Sequence, residues 1–179
     1  MGDVLSSEIR VPLPDGKDMK AALALPDSPG PHPGVVVLHE AFGLNDDIRR
    51  IGRRFADEGY VALAFAVRGS VRAAAVNYGA VPKDAAKLEG VCPVVASYGG
   101  RDRLMGKLGD RLERHLTQLG VAHDVKTYPD VGHSFLGQHD SFVMRLPNPM
   151  ATGYSEQEAE DAWKRILAFF AEHVQKGAA

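Results

Sequence analysis

The sequence lacks the features that are typical of disulfide-bonded, nucleic-acid-binding and membrane-spanning proteins. It contains one cysteine, Cys92, so no disulfide can form within the chain, and we expect a reducing compartment. A net charge of -2 at pH 7 offers no basic surface for nucleic acid. No apolar run reaches the ~18 residues that a membrane span needs, and the first residues lack a signal-peptide pattern. We therefore expect a cytoplasmic protein that acts on a small molecule, not on nucleic acid or membranes.

Strand and helix patterns alternate along the chain, which is typical of an α/β fold. Two extended segments, Glu8–Leu13 and Met19–Leu25, flank the turn residues Pro14-Asp15-Gly16 and predict an antiparallel hairpin. Val35–Leu38 is continuously apolar, which predicts a strand that is buried on both faces. The remaining predicted strands are Tyr60–Ala66, Ala73–Gly79, Pro93–Tyr98 and His123–Tyr128.

Helix patterns fill the intervals between these strands. One begins near Asn45, a second carries leucines from Leu104 to Leu119, and a third begins at Ser155, whose spacing from Glu158 predicts a capping box. Strands that alternate with helices favour a mostly parallel, twisted sheet with helices on both faces. We predict a single domain over residues 1–179.

Polar residues follow three of the predicted strands. Glu40 comes after the first buried strand, Asp102 after Pro93–Tyr98, and His133 after His123–Tyr128. In open α/β sheets reactive groups gather at the carboxyl ends of the strands. An acid after one strand and a histidine after the next suits general acid–base chemistry, because the carboxylate fixes the imidazole tautomer and stabilises its charged form.

Each of these residues alone also has a purely structural interpretation. Asp102 could cap the helix near Leu104, His133 could be a turn histidine, and Glu40 a surface charge. Their joint placement at strand ends favours a catalytic role for the three residues.

A metal site formed by His133, His139 and Asp140 is a weaker alternative, because their spacing across a loop differs from the histidine pairs of zinc peptidases. We expect neither a metal nor a cofactor.

Three stretches together resemble the dienelactone hydrolase family of α/β-hydrolases. They are Val36–Asn45 (VVLHEAFGLN), Ser97–Asp102 (SYGGRD) and Tyr128–Phe135 (YPDVGHSF), in the family's order. The resemblance implies hydrolysis of a lactone or small carboxylic ester through an acyl-enzyme on cysteine.

The same resemblance implies a role for individual residues. Asp102 becomes the acid of a catalytic triad and His133 the base. Glu40 becomes the carboxylate beside the cysteine in the resting site. The backbone N–H of Ala41 becomes an oxyanion-hole donor, with Phe42 beside it at the substrate.

The family's nucleophile motif, Gly-x-Cys-x-Gly-Gly, does not occur in this sequence. It belongs between the strands that end near Ala66 and begin near Ala73, but only residues 67–72 separate them. A crossover between parallel strands needs about a dozen residues. The sequence therefore predicts an internal deletion or gap at about 66–73. A continuous chain would require a rearranged sheet, with Ala73–Gly79 antiparallel to its neighbour or the central strand supplied by another molecule.

No other residue replaces the lost nucleophile convincingly. Cys92 precedes a buried strand, at the end away from Asp102, and Pro93 after it has no N–H for an oxyanion hole. Ser70 and Ser134 lack the elbow context. The alternative to an enzyme is a non-catalytic, ligand-binding or vestigial remnant of the family. The substrate and the oligomeric state stay open.

Overall fold

The computed structural model describes residues 5–12, 18–37, 46–64, 72–138 and 149–175. The chain divides into two compact units, Met1–Ser70 and Val71–Ala179, and each has its own sheet. Both units combine strands with helices, so the predicted α/β class is confirmed. The single domain over residues 1–179 stays a prediction.

The first unit is a four-stranded sheet with one helix against it. Its strands lie in the order β1-β2-β4-β3. Pairing is antiparallel between β1 and β2 and between β2 and β4, and parallel between β3 and β4. The predicted hairpin is therefore present, although its turn lies outside the described residues. The elements are β1 (Leu5–Pro12), β2 (Asp18–Leu25), β3 (Gly34–Val37), α1 (Asp46–Asp57) and β4 (Val61–Ala64).

The prediction that the first apolar strand is buried on both faces is wrong. In β3, Val35 and Val37 are buried, whereas Val36 between them is 41% exposed. The strand is at one end of its sheet, and only one of its faces carries the buried side chains. A run of valines is therefore compatible with an edge position, where composition alone does not reveal which face is covered.

The second unit contains a three-stranded sheet that is parallel throughout, in the order β5-β6-β7. Its described helices include a 3₁₀ turn at Ala85–Leu88 and a π-helical turn at Ala171–Gln175 that continues the last α-helix. None of the helices in the described ranges is both long and apolar enough to cross a bilayer. The main elements are β5 (Ala74–Asn77), β6 (Val94–Gly99), α2 (Leu108–Gln118), β7 (His123–Tyr128) and α3 (Glu156–Phe170).

Helices cover both faces of the central strand β6, as predicted. Successive side chains of a strand point to opposite faces. Tyr98 and the alternate residues before it pack with Leu112 and Leu116 of α2. Ser97, on the other face, accepts a hydrogen bond from Arg165 of α3 at 3.2 Å. All six residues of β6 are consequently buried.

The guanidinium group of Arg165 links α3 to the sheet through an ion pair and several hydrogen bonds. It forms an ion pair with the Asp124 carboxylate at 2.7 Å and donates to the carbonyl oxygens of Asp124 (2.9 Å) and Ala96 (3.3 Å). A planar guanidinium group carries five N–H donors in fixed directions and can satisfy several acceptors at once. The helix is thereby held in register with β6 and β7.

Two predicted helix starts differ from the structure. Leu104 is 58% exposed and precedes α2, which begins at Leu108. Ser155 does stand at the N-cap of α3, but its hydroxyl bonds the Glu158 carboxylate and makes no side-chain cap bond to a backbone N–H among the described residues. The Ser155 N–H donates to the Phe135 carbonyl at 3.0 Å, so neither backbone hydrogen bond of the predicted capping box is formed among the described residues.

The junction between the units lies largely outside the described residues, which resume at Arg72. Among the described strands, β4 and β5 belong to different sheets and do not pair. The described neighbour of β5 is β6, and the two are parallel. Because β5 and β6 are parallel, their carboxyl ends lie at the same edge of the sheet. The rearranged sheet that we expect of a continuous chain stays a prediction. The predicted deletion stays a prediction.

Alkaline pH is expected to destabilise the second unit. Burial raises the pKa of Tyr98 to about 12, and burial with a hydrogen bond to Asp161 raises that of Tyr128 to about 12. An unfolded tyrosine titrates near 10. The unfolded chain therefore loses protons first, so stability is complete below about pH 10 and falls as the pH rises toward 12. Urea midpoints between pH 9 and 11.5 measure this.

Tyr98→Phe is the control for the alkaline effect. It removes one titrating phenol and also the hydrogen bond that Tyr98 donates to the Gly79 carbonyl at 3.0 Å. We expect a constant cost of about 1 kcal/mol below pH 10 and a shallower decline above it. An unchanged slope would mean that Tyr98 does not contribute to the alkaline loss.

Candidate functional site

The structure brings Asp102 and His133 together at one edge of the parallel sheet. Asp102 follows the carboxyl end of β6, and His133 follows that of β7, its neighbour. Nδ1 of His133 lies 2.8 Å from Oδ2 of Asp102. This is the contact that the sequence predicted, and it arises because adjacent parallel strands end at the same edge.

Asp102 uses both of its carboxylate oxygens. Oδ2 faces His133, while Oδ1 accepts hydrogen bonds from the backbone N–H groups of Leu104 (2.9 Å) and Met105 (3.0 Å). One side chain therefore both caps a backbone turn and contacts His133, and its role as a catalytic acid stays a prediction. The capped segment is a turn before α2 and not the helix itself. With 1% of its side chain exposed, Asp102 is fixed in orientation.

The turn that carries His133 is clamped by the segment 149–153. The His133 N–H donates to the Met150 carbonyl at 2.8 Å, and the Gly153 N–H donates to the His133 carbonyl at 3.3 Å. Gly132 is required here, because a Cβ atom at this position would lie 1.8 Å from the Ala151 carbonyl oxygen. Hydrogen bonds of the His133 N–H and carbonyl groups thus fix the backbone position from which the His133 ring extends.

The aromatic ring of Tyr78 packs on the imidazole. The Tyr78 ring centroid is 4.9 Å from that of His133, and Phe135 lies 5.4 Å from Tyr78. Tyr78 was not among the residues that we singled out from the sequence. The signal was available, since Asn77-Tyr78-Gly79 is a fourth polar segment at the end of a predicted strand.

The pair has the geometry of a general acid–base unit. Because Nδ1 is committed to a buried carboxylate, Nε2 is the nitrogen that remains for proton transfer. The His133 side chain is 16% exposed, against 1% for Asp102. The Asp102 carboxylate is therefore shielded from solvent, while the His133 ring remains partly accessible to it. This arrangement can accept a proton from a nucleophile and return it to a leaving group.

Other predicted site residues lie outside the described part of the chain. They are Glu40, Ala41 and Phe42, together with His139 and Asp140 of the weaker metal alternative. Within the described ranges no cluster of three or more histidine, cysteine or acidic residues could hold a metal ion. The expected place of Glu40 and of the Ala41 N–H beside His133 stays a prediction.

Cys92 is at the wrong end of β6 for a nucleophile. It lies two residues before the strand begins, whereas Asp102 follows the strand's carboxyl end. The six residues of β6 span about 20 Å. Burial also raises the pKa of the Cys92 thiol, so less thiolate is present at neutral pH. The structure agrees with the rejection of Cys92 from the sequence.

The sequence profile of the dienelactone hydrolase family matches residues 19–68 and 62–174. The chain belongs to the dienelactone hydrolase family. The predicted family is thereby confirmed, and with it the assignment to a family of hydrolases.

Two curated relatives, both with the assigned name carboxymethylenebutenolidase, match different shares of this chain. A protein of Saccharolobus solfataricus is 52% identical over 50 residues, which are 28% of this chain and 19% of the relative. The matched part thus spans about a fifth of that relative's length. A protein of Salmonella typhimurium is 23% identical over 241 aligned positions, covering 90% of this chain and 85% of the relative.

Solved structures share the fold. A crystal structure with the assigned name dienelactone hydrolase, from Klebsiella pneumoniae, superposes with a TM-score of 0.75 at 20% identity, covering 95% of this chain and 99% of that chain. At this identity the similarity is evidence for the fold alone. It agrees with the α/β class described above.

Proposed function

We propose that Asp102 and His133 are the acid and the base of an enzyme that hydrolyses a carboxylic ester or lactone. The single observation that carries this proposal is the 2.8 Å contact between Nδ1 of His133 and Oδ2 of a carboxylate that is itself held by two backbone N–H groups. Membership of the dienelactone hydrolase family supports the substrate class.

In the proposed reaction a nucleophile attacks the carbonyl carbon while His133 accepts its proton. The tetrahedral intermediate collapses as His133 protonates the departing alcohol oxygen, which leaves an acyl-enzyme. Water, deprotonated by His133, then attacks the acyl group and restores the nucleophile. The products are the carboxylic acid and the alcohol, which for a lactone are parts of one molecule. Asp102 stabilises the imidazolium in both steps. We propose, from the family resemblance, that Glu40, Ala41 and Phe42 also belong to this site.

We further propose that the nucleophile belongs to a segment that this chain lacks near residues 66–73. The alignment with the Salmonella typhimurium relative supports this, because 90% of 179 residues is about 161 residues, and 241 aligned positions therefore leave about 80 without a residue of this chain. The two ranges of the family match also meet at residues 62–68. The two family-match ranges thus meet at the junction that is too short for a crossover, while the alignment length supports only the number of missing residues.

A non-catalytic remnant is the second candidate, and the missing nucleophile motif favours it. In this case the chain keeps the carboxylate–histidine pair only to bind a ligand or to stabilise the fold. The two candidates differ in one measurable property, which is whether His133 can still act as a base toward an ester and a nucleophile.

Supplying the nucleophile from solution tests this directly. We expect the 179-residue chain alone to hydrolyse an activated aryl ester well below ~1 s⁻¹, a common enzyme rate. Adding a small thiol should raise ester consumption above that of the thiol alone, because His133 can accept the thiol proton. His133→Ala should abolish the increment, and Asp102→Asn should reduce it by about tenfold or more.

His123→Ala is the matched control, since His123 lies on β7 and bonds the Val121 carbonyl away from Asp102. It should leave the thiol-dependent increment unchanged. Equal rates in the unmodified chain and in His133→Ala would overturn the proposed function and favour the remnant. Turnover near 1 s⁻¹ without thiol would reveal a nucleophile within the chain. An intact mass of 19.3 kDa for the natural protein would support a true deletion.

A further inference from the structure

Tyr78 stands directly after β5 in an unfavourable backbone conformation. Its φ angle is +52°, in the left-handed region that tyrosine rarely adopts. The residue is nevertheless 7% exposed, and its N–H donates to the Ser97 carbonyl of β6 at 2.8 Å. Such a conformation persists only where the surrounding contacts hold it.

The side chain of Tyr78 contacts the whole turn that carries His133. Its ring packs on the imidazole at 4.9 Å with a tilt of 48°, and meets the edge of Phe135 at 5.4 Å. Its phenol oxygen accepts a hydrogen bond from the Leu136 N–H at 2.8 Å. One side chain therefore supports both the ring of His133 and the backbone three residues beyond it.

Backbone strain is concentrated around the same histidine. The described residues other than glycine include three with left-handed φ angles, namely Tyr78 (+52°), Ser134 (+64°) and Ala151 (+47°). Tyr78 packs on His133, Ser134 follows it in the chain, and Ala151 lies against Gly132. Strained residues cluster where a functional group must be held in one geometry.

We propose that Tyr78 is a positioning residue that sets the plane of the His133 ring, so that Nδ1 faces Asp102 and Nε2 faces away from it. This inference rests on the proposed function for its biological meaning, because it concerns the proposed base. The orientation and the tautomer of the His133 imidazole can be measured without any catalysis.

Tyr78→Asn removes the ring while suiting the backbone, because asparagine adopts left-handed φ angles more readily than most residues. Tyr78→Phe keeps the ring and removes the hydroxyl that accepts the hydrogen bond from the Leu136 N–H. Tyr60→Leu is the matched control: Tyr60 is 2% exposed and packs on Phe55 in the other unit. It tests what the loss of a buried aromatic ring does by itself.

The measurement is nitrogen and proton NMR of the His133 ring, assigned with His133→Gln. We expect the starting protein to hold its proton on Nδ1 and exchange it slowly. Tyr78→Asn should accelerate that exchange by about tenfold or more and mix the tautomers. Tyr78→Phe should keep the tautomer, while exchange of the Leu136 amide rises by about tenfold. Tyr60→Leu should leave the His133 signals unchanged.

Unaltered His133 signals in Tyr78→Asn would overturn the inference. If Tyr78→Asn does not fold, Tyr78→Leu, which also removes the ring, decides instead, and unaltered His133 signals in that variant would overturn the inference. Changed signals in Tyr60→Leu would equally overturn it, since any loss of core packing would then have the same effect. The proposed function fails separately: absence of a His133-dependent thiol increment leaves the NMR result standing.

Discussion

Replacement of Asp102 by alanine is expected to lower the free energy of unfolding by about 3–5 kcal/mol. The substitution removes the acceptor for three donors at once: the N–H groups of Leu104 and Met105 and Nδ1–H of His133. Because 1% of the Asp102 side chain is exposed, water reaches these groups only after local rearrangement. Urea unfolding monitored by circular dichroism measures the loss.

Asp102→Asn separates the two tasks of this carboxylate. Asparagine keeps one oxygen for the N–H groups of Leu104 and Met105, but its amide NH₂ faces His133. We expect roughly half the destabilisation caused by alanine, and the His133 proton should move from Nδ1 to Nε2, as its NMR shifts would report. A tautomer that does not change would contradict the hydrogen-bond geometry described here.

Asp161→Ala is the control for removing a carboxylate. Asp161 also accepts two hydrogen bonds, from Lys126 and from the Tyr128 hydroxyl, but its side chain is 46% exposed. Exposed ion pairs contribute about 0–1 kcal/mol, because water and salt screen them. Equal decreases in the free energy of unfolding for Asp161→Ala and Asp102→Ala would show that the burial of Asp102 does not make its carboxylate more stabilising than that of Asp161.

Gly132→Ala is expected to cost about 3 kcal/mol or more and to displace the His133 turn. The added Cβ would lie 1.8 Å from the Ala151 carbonyl oxygen and 2.5 Å from that of Met150. Both neighbours are backbone atoms, so no side-chain rotation can relieve the clash. The hydrogen bond from the His133 N–H to Met150 should therefore lengthen or break. Urea unfolding and the His133 ring signals measure both effects.

Gly34→Ala is the matched control for Gly132→Ala. Gly34 begins β3, and a Cβ atom there would meet no heavy atom within 4 Å. We expect a change within about 0.5–1 kcal/mol, because replacing an unstrained glycine mainly reduces the entropy of the unfolded chain. A Gly132→Ala variant that is as stable as Gly34→Ala would mean that the segment 149–153 does not clamp the His133 turn.

Hydrophobic pattern and strand order were sufficient to predict the pairing of Asp102 with His133. Each residue follows a strand that the sequence marks clearly, and parallel strands in one sheet end at a common edge. The prediction thus needed only the order of the elements. The same reasoning overlooked Tyr78, although it follows β5 in the same way, because an acid–base pair was sought only among the acidic and histidine side chains after the strands.

Local propensity was a poorer guide where tertiary contacts compete with it. Leu104 continues the leucine spacing of α2, but Asp102 holds the backbone after it in a turn, so the helix begins four residues later. Val36 belongs to a continuous apolar run, but its strand is at a sheet end and the side chain is exposed. In the first case a local side-chain hydrogen bond competes with the helix that the leucine spacing predicts. In the second case strand order decides the exposure, and a local window does not contain it.

The α/β class, the family and the two residues of the proposed acid–base pair could be inferred from the amino-acid sequence alone. They depend on periodicity and on the order of motifs along the chain. How the pair is held became apparent only in three dimensions. Asp102 divides its two oxygens between a turn and His133, Tyr78 packs on the imidazole, and the segment 149–153 forms hydrogen bonds with the backbone of His133. Distances between atoms far apart in the chain determine such contacts, and no spacing within the sequence encodes them.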